Sequence, residues 1–195
     1  MTKLTRLSIL VALFGSVALF VSSCSDDDDN NTEPSLYTRL GGTAMVADPN
    51  NAGQMIEQGR LSYRSVVDST ITLIVQDIVL NNPGNFAPHF APLLAEVGSG
   101  NATNVAVLSD NLTDFFSANT GGGDSNTYNG LDMVTAHNPA TNSRMGAKAT
   151  DADYTRFIGF VGQAAGMNGV SDEEIIGDVV DVLESLREPI VQDPN

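Results

Sequence analysis

The stretch Thr150–Gly166, TDADYTRFIGFVGQAAG, carries the clearest fold signal in this chain of 195 residues. Thr150 is followed three residues later by Asp153, which is the spacing of a helix-capping pair. Apolar residues then recur at steps of three and four, the period of one helical face, at Tyr154, Phe157, Ile158, Val161 and Ala165. The stretch therefore predicts an amphipathic α-helix that ends near Gly166.

The same period recurs elsewhere in the chain. It predicts helices over 65–80, 103–119 and 171–188, the last opened by a Ser171/Glu174 capping box and stopped by Pro189. A short helix with Leu131, Met133, Val134 and His137 is expected to stop before Pro139, with a loop to residue 149. The β-branched residues of 65–80 leave a strand open there, and 47–58 is polar and irregular. The expected fold class is all-α.

The composition is that of a globular and strongly acidic protein. Apolar residues make up 42%, which is enough to build a core. Twenty-four Asp and Glu against nine Lys and Arg give a net charge of -15, which repels phosphate backbones, so nucleic-acid binding is not expected. Cys24 is the only cysteine, and His89 and His137 are the only histidines. This excludes disulfides within the chain, thiolate zinc clusters and sites with three imidazoles.

The N-terminus has the features of an export signal. Lys3 and Arg6 precede an apolar stretch over 7–21, which is shorter than the roughly 20 residues that span a bilayer. Val-Ser-Ser directly before Cys24 resembles the lipobox of bacterial lipoproteins. The pattern predicts a signal peptide over 1–23 and lipidation of Cys24, with an uncleaved anchor or a free thiol as the alternative.

A polar tether follows Cys24. The run 26–29, four aspartates, resembles the tag that sends lipoproteins of Bacteroidetes-type bacteria to the cell surface. As a charge run it is equally a solvated linker or a weak cation site. We expect a tether over 24–34 and a folded domain over 35–195, anchored through lipid in the outer membrane of a Gram-negative bacterium.

His137 is the candidate for cofactor chemistry that remains after elimination. The chain has no GxSxG, phosphate-loop or HExxH motif, and its carboxylates fall mostly at helix caps and on exposed faces. His137 shares a helical face with Met133 and Val134, and the Met133 carbonyl is placed to accept one imidazole N–H. A lone histidine in this position is either a structural residue or a ligand with one free nitrogen, as haem iron requires. His89, among Pro83, Gly84 and Pro88, is expected at a corner that would hold a ligand poorly.

Ordered motifs over 35–191 resemble those of the group I truncated haemoglobins. SLYTRLGG at 35–42 matches the opening motif of that family, and LTDFF at 112–116 with the following glycines matches the end of its distal helix. YNGLDMVTAH at 128–137 resembles the segment with the proximal haem ligand, and TDADY at 150–154 resembles the start of the next helix. The resemblance implies a shortened globin, with two helices packed over two, that binds haem b through its iron at His137.

The resemblance also implies the other haem contacts. Phe90 matches a phenylalanine on the haem face, and Val75 falls where the family has its distal tyrosine. Leu108 and Leu112 stand where a glutamine is frequent. The expected haem-contacting set is His137, Phe90, Val75, Leu108, Leu112, Met133 and Phe116.

The function implied is reversible binding of oxygen or another diatomic gas on a membrane-anchored lipoprotein. The alternative is a globin-like binding lipoprotein that lacks haem or holds it only in transit. Nitric oxide dioxygenation would need an electron donor that the chain does not encode. Bound oxygen would lack the usual tyrosine hydroxyl, and Tyr63, in an insertion after Gly42, is the candidate replacement.

Replacing Cys24 with serine removes the thiol that would carry the lipid and leaves the apolar signal in place. We expect the processed Cys24→Ser protein to appear in the soluble fraction, because lipid supplies the membrane affinity once the signal is cut. Cell fractionation of the variant beside the unchanged chain measures this. A processed variant that stays with the membranes would rule out lipid anchoring.

Overall fold

The computed structural model describes residues 33–193. Its elements are α1 (Leu36–Arg39), β1 (Met45–Ala47), β2 (Met55–Glu57), α2 (Gln58–Val79), α3 (Ala87–Gly98), α4 (Thr103–Ser117), a π-helical turn (Ala118–Gly122), α5 (Met133–Ala136), α6 (Asp151–Met167), α7 (Glu173–Ser185) and α8 (Arg187–Ile190). None of the described helices is both long and apolar enough to cross a membrane. The expected signal peptide, Cys24 and most of the tether lie outside the described residues.

The described part of the chain is mostly helical, but the all-α expectation is wrong in one detail. Strands β1 and β2 form a small antiparallel hairpin, with Val46 opposite Ile56. Ile56 is buried, and the hairpin occupies most of the segment that the sequence pattern left irregular. Strands of three residues are too short for an alternating pattern to be recognised.

Helix α2 is the central element and packs against both α4 and α6. It begins at Gln58, directly after β2, and buries Val67, Leu73 and Ile74. The strand alternative for this segment is therefore wrong. Its β-branched residues form a helix because burial of an apolar face outweighs a weak intrinsic preference.

The two predicted capping boxes have different outcomes. At α6 the Thr150/Asp153 box is confirmed, with the Asp153 N–H donating to Thr150 Oγ1 at 3.2 Å and the Thr150 N–H donating to Asp153 Oδ2 at 2.9 Å. At α7 the Ser171 box is wrong, because Asp172 Oδ1 accepts from two backbone N–H groups of the first turn, at 2.9 and 3.2 Å. A carboxylate at this position also faces the positive end of the helix dipole.

Two proline-containing segments are helical where the sequence predicts otherwise. His89 lies inside α3 and not at a corner, since Pro88 occupies the first turn, where no N–H is needed. The predicted helix to residue 188 instead ends at Ser185, and Pro189 falls in the first turn of α8. Proline therefore begins helical turns here instead of ending them.

The Tyr37 ring is held between Gly59 of α2 and Gly122 of the π-helical turn. A Cβ at Gly59 would lie 2.8 Å from a ring carbon, and a Cβ at Gly122 would lie 2.9 Å from the ring and 2.6 Å from the Ser117 carbonyl oxygen. Tyr37 is 1% exposed and packs in a cluster with Tyr63, Phe116, Val161 and Leu183. The ring thus joins α1 to the core, and both flanking positions require glycine.

We expect Gly59→Ala to lower the free energy of unfolding by about 1–3 kcal/mol, because the added methyl group overpacks the Tyr37 ring. The matched control is Gly159→Ala in α6, where an added Cβ meets no atom within 4 Å. That change should raise the free energy by up to about 1 kcal/mol, since alanine favours the helix. Urea denaturation followed by circular dichroism compares the two. Equal free energies of unfolding for both variants would show that the Tyr37 ring is not tightly held against Gly59.

Candidate functional site

His137 directly follows the one-turn helix α5, which confirms the predicted short helix. Asp132 caps it, with Oδ1 accepting from the Thr135 N–H at 3.0 Å and Oδ2 accepting from Thr135 Oγ1 at 2.6 Å. Pro139 follows two residues after His137, and the residue before a proline avoids the helical region. The helix is therefore limited to a single turn, with the histidine at its end.

Three side chains outside α5 donate hydrogen bonds to its carbonyl oxygens. Thr141 donates at 3.0 Å, Asn142 at 2.7 Å and Gln192 at 2.8 Å. A four-residue helix has almost no stability by itself, because nucleation is unfavourable. These bonds, from the following loop and from a segment 58 residues away, fix its position.

The His137 ring is held at one nitrogen. Its Nδ1 lies 2.9 Å from the Met133 carbonyl oxygen, as the helical spacing predicts. Since a carbonyl only accepts, Nδ1 carries the proton, and Nε2 has no hydrogen-bond partner among residues 33–193. Burial lowers the pKa of His137, and the bond to Met133 opposes this only in part. The result is a neutral imidazole with a free electron pair on Nε2, the form in which histidine binds metals.

His89 is held at both ring nitrogens. Nδ1 lies 3.3 Å from the Ala147 carbonyl oxygen, and Nε2 lies 3.3 Å from Asp153 Oδ2. The ring is buried and lies against Phe86, with the centroids 6.0 Å apart. His89 thus ties α3 to the start of α6 and has no nitrogen free for a metal.

An apolar cavity of about 290 Å³ lies between α2, α4, α6 and α7. Leu112 and Phe116 of α4 line it, together with Val67, Phe157, Val161 and Val179. Of the seven expected haem contacts, only Leu112 and Phe116 are among the cavity's described lining residues.

The other expected haem contacts are distributed over four helices and their ends. Met133 of α5 packs against a small cluster of Ala149, Tyr154 and Ile190. Phe90 of α3 contacts Phe86 edge-on, with centroids 6.3 Å apart. Leu108 of α4 is half-buried, and Val75 of α2 is 41% exposed. Their common contact with one haem stays a prediction.

Tyr63 is buried in α2. Its hydroxyl is 2.7 Å from Thr120 Oγ1, which itself donates to the Phe116 carbonyl oxygen at 2.7 Å. The Tyr63 hydroxyl is therefore the donor to Thr120, and burial raises the pKa of Tyr63 to about 12. This engaged hydroxyl does not support a role for Tyr63 as the donor to a bound gas.

A polar cluster around Tyr37 was not predicted from the sequence. The Tyr37 hydroxyl donates to Glu57 Oε2, which also accepts from Ser125 Oγ at 2.9 Å and Asn126 Nδ2 at 3.0 Å. Burial raises the pKa of Tyr37 to about 12, and the bond to Glu57 adds to the shift. Burial alone would raise the pKa of Glu57, but the three donors hold it below its usual value. Only the SLYTRLGG motif marked any of these residues.

The candidate site is built around a single imidazole. Residues 33–193 contain no group of three or more His, Cys, Asp or Glu side chains able to hold an ion. A haem iron needs a single protein ligand, because the porphyrin supplies four nitrogens. The neutral His137 with its free Nε2 meets this requirement.

Comparisons with protein-family models, with curated proteins and with solved structures each found no match to this chain. The structure shows a mostly helical domain with a small hairpin.

We expect His137 to carry its proton on Nδ1 at neutral pH, because the Met133 carbonyl accepts from that nitrogen. A free neutral histidine favours the opposite tautomer, so the result is diagnostic. Long-range ¹H–¹⁵N correlation spectra of protein prepared without haem measure it, and a His89→Gln variant separates the two rings. A proton on Nε2 would show that this nitrogen is not available to iron.

Proposed function

We propose that this chain is a haem-binding globin of the group I truncated type that reversibly binds oxygen or another diatomic gas. The observation that carries the proposal is the His137 ring, which is neutral, bonded at Nδ1 and free at Nε2. The ordered motifs over 35–191 and the mostly helical fold support it. When bound at His137, haem b supplies the iron at which a gas molecule binds.

The residues around His137 position the ligand and tune it. The hydrogen bonds to α5 from Thr141, Asn142 and Gln192 limit the movement of the ring. The Met133 carbonyl fixes the tautomer and makes Nε2 a better electron donor, as such partners do for metal-bound histidines. Met133 itself packs on the cluster at Ala149, so the carbonyl is held in place.

The expected gas-side contacts are apolar. Val75, Leu108 and Leu112 carry no hydrogen-bond donor in their side chains, and the Tyr63 hydroxyl donates to Thr120. Phe90 and Phe116 add aromatic surface that excludes water. Because these side chains offer no hydrogen-bond donor, we infer that the site would hold carbon monoxide more tightly relative to oxygen than a site with a donor would.

We also propose that the domain is exported and anchored. The features that support this are the signal over 1–23, the lipidation site at Cys24 and the acidic run over 26–29. The partners are then haem, a diatomic gas and the outer membrane of a Gram-negative bacterium. The net charge of -15 argues against binding of nucleic acid. The sequence does not indicate a redox partner protein.

A second candidate is a globin-like lipoprotein that binds a small apolar molecule and holds no resident haem. The cavity between α2, α4, α6 and α7 favours it, since apolar side chains line most of it. The two candidates differ in one measurement. A Soret band in the protein purified after haem addition supports the haem protein, and its absence supports the second candidate.

We expect His137→Gly, mixed with haem, to lose the absorption spectrum of histidine-ligated iron, because no other described imidazole has a free nitrogen. Imidazole added to the solution should restore that spectrum by filling the vacated place. His89→Gln is the matched control and should keep the spectrum. Loss of the spectrum in His89→Gln alone would move the ligand to His89.

A further inference from the structure

Five aromatic rings form a continuous column from α1 to the segment before α5. Neighbouring centroids lie 6.4, 5.7, 5.5 and 5.3 Å apart along the order Tyr37, Tyr63, Phe116, Phe115 and Tyr128. Three of the four tyrosines of the chain lie in this column, and the fourth is Tyr154. Electron transfer is favoured through such closely spaced π-systems.

The two ends of the column differ in their hydrogen bonds. At one end the hydroxyl of Tyr128 donates to the Leu131 carbonyl oxygen at 2.6 Å, two residues before α5 begins. At the other end the hydroxyl of Tyr37 donates to the Glu57 carboxylate. Of the four tyrosine hydroxyls, only that of Tyr37 donates to a base in the described structure.

This difference matters because a phenol that loses an electron becomes a strong acid. The proton must leave together with the electron, and a buried phenol without a base resists oxidation. Tyr37 is 1% exposed, so water cannot take its proton. Glu57 already accepts a hydrogen bond from this hydroxyl. Ser125 and Asn126 also donate to its Oε2, and these donors keep the carboxylate ionised.

We propose that Tyr37 and Glu57 form a proton-coupled redox pair at the buried end of this aromatic column. In the reaction one electron passes from Tyr37 along the column to a one-electron oxidant at the Tyr128 end. The Tyr37 O–H bond breaks and its proton moves to Glu57 Oε2. The products are a neutral tyrosyl radical, a protonated Glu57 and the oxidant reduced by one electron, and re-reduction reverses each change.

The role of the pair rests in part on the proposed function. Haem held by His137 would supply a one-electron oxidant in the presence of a peroxide, and the column leads from the segment before His137 to Tyr37. Moving the oxidising equivalent to a buried residue would protect the candidate site from damage. The redox chemistry of the pair itself does not require haem, because any one-electron oxidant of sufficient potential that reaches Tyr128 can start it.

The experiment therefore begins with protein prepared without haem. A photo-oxidised ruthenium tris-bipyridine complex with persulfate supplies the oxidant, and samples frozen after the flash are measured by electron paramagnetic resonance. We expect a tyrosyl radical in which an exchangeable proton is coupled to the phenoxyl oxygen, because Glu57 holds that proton in a hydrogen bond. Electron–nuclear double resonance in H₂O and D₂O detects it.

Variants assign the radical to the pair. Tyr37→Phe keeps the ring between its two glycines and should abolish the persistent signal, and Glu57→Gln should reduce it to the same level by removing the base. Tyr154→Phe is the matched control, because Tyr154 is also buried but donates to the Leu183 carbonyl oxygen, which is not a base. That variant should keep the full signal.

Two results would overturn the proposal. One is a signal of unchanged size in folded Tyr37→Phe or Glu57→Gln, and the other is a radical in the unchanged protein without the exchangeable proton. The second result needs no variant and decides the matter if the substitutions prevent folding. A parallel sample with haem and hydrogen peroxide should give the same radical. Failure of haem to bind there counts against the proposed function and leaves the ruthenium result standing.

Discussion

The contact between the Tyr37 ring and two glycine backbones is the constraint on which the arrangement of the first half of the domain depends. Gly59 and Gly122 come from different parts of the chain, and neither leaves room for a Cβ beside the ring. Gly41 and Gly42 adopt positive φ angles of 112° and 53°, which lets the chain turn away after α1. Glycine is therefore needed on both sides of the Tyr37 ring and in the turn after α1.

The surroundings of Tyr37 also position the chain segment that leads to His137. Gly121, at φ 109°, closes the π-helical turn after α4, and the chain then returns to Asn126, whose amide donates to the Tyr37 oxygen at 3.1 Å. Tyr128 follows and packs edge-on against Phe115. The segment that leads to α5 thus starts beside Tyr37, and it contacts the buried Tyr37 of α1 and the half-buried Phe115 of α4.

The features that were predictable from the sequence are those encoded within a few residues. The helical faces of α2, α4, α6 and α7, the Thr150 cap and the bond from His137 to Met133 all rest on spacings of three or four residues. The hairpin was missed because its strands have three residues each. The Ser171/Glu174 spacing predicts a capping box, but it does not show that the adjacent Asp172 caps α7 instead.

Contacts between residues distant in sequence determine three features that were not predicted. These are the position of the Tyr63 hydroxyl, the hydrogen bonds at both nitrogens of His89 and the polar cluster around Tyr37. Thr120 lies 57 residues from Tyr63, and Asn126 lies 89 residues from Tyr37. No local pattern reports such pairs, and a motif matched to a family marks a residue without showing what it touches. Elimination of other motifs and its place on a helical face with Met133 single out His137, and its role as iron ligand is what the family resemblance implies.

The hydrogen bond from Gln192 to α5 has a consequence for the order of events during biogenesis. Its acceptor, the Val134 carbonyl, precedes Gln192 by 58 residues, and Gln192 N–H is in turn bonded to the Ala149 carbonyl. A chain that crosses a membrane from its N-terminus delivers residue 192 long after His137. In an exported chain, the hydrogen bond from Gln192 that fixes the turn before His137 would thus form only after translocation of nearly the whole domain.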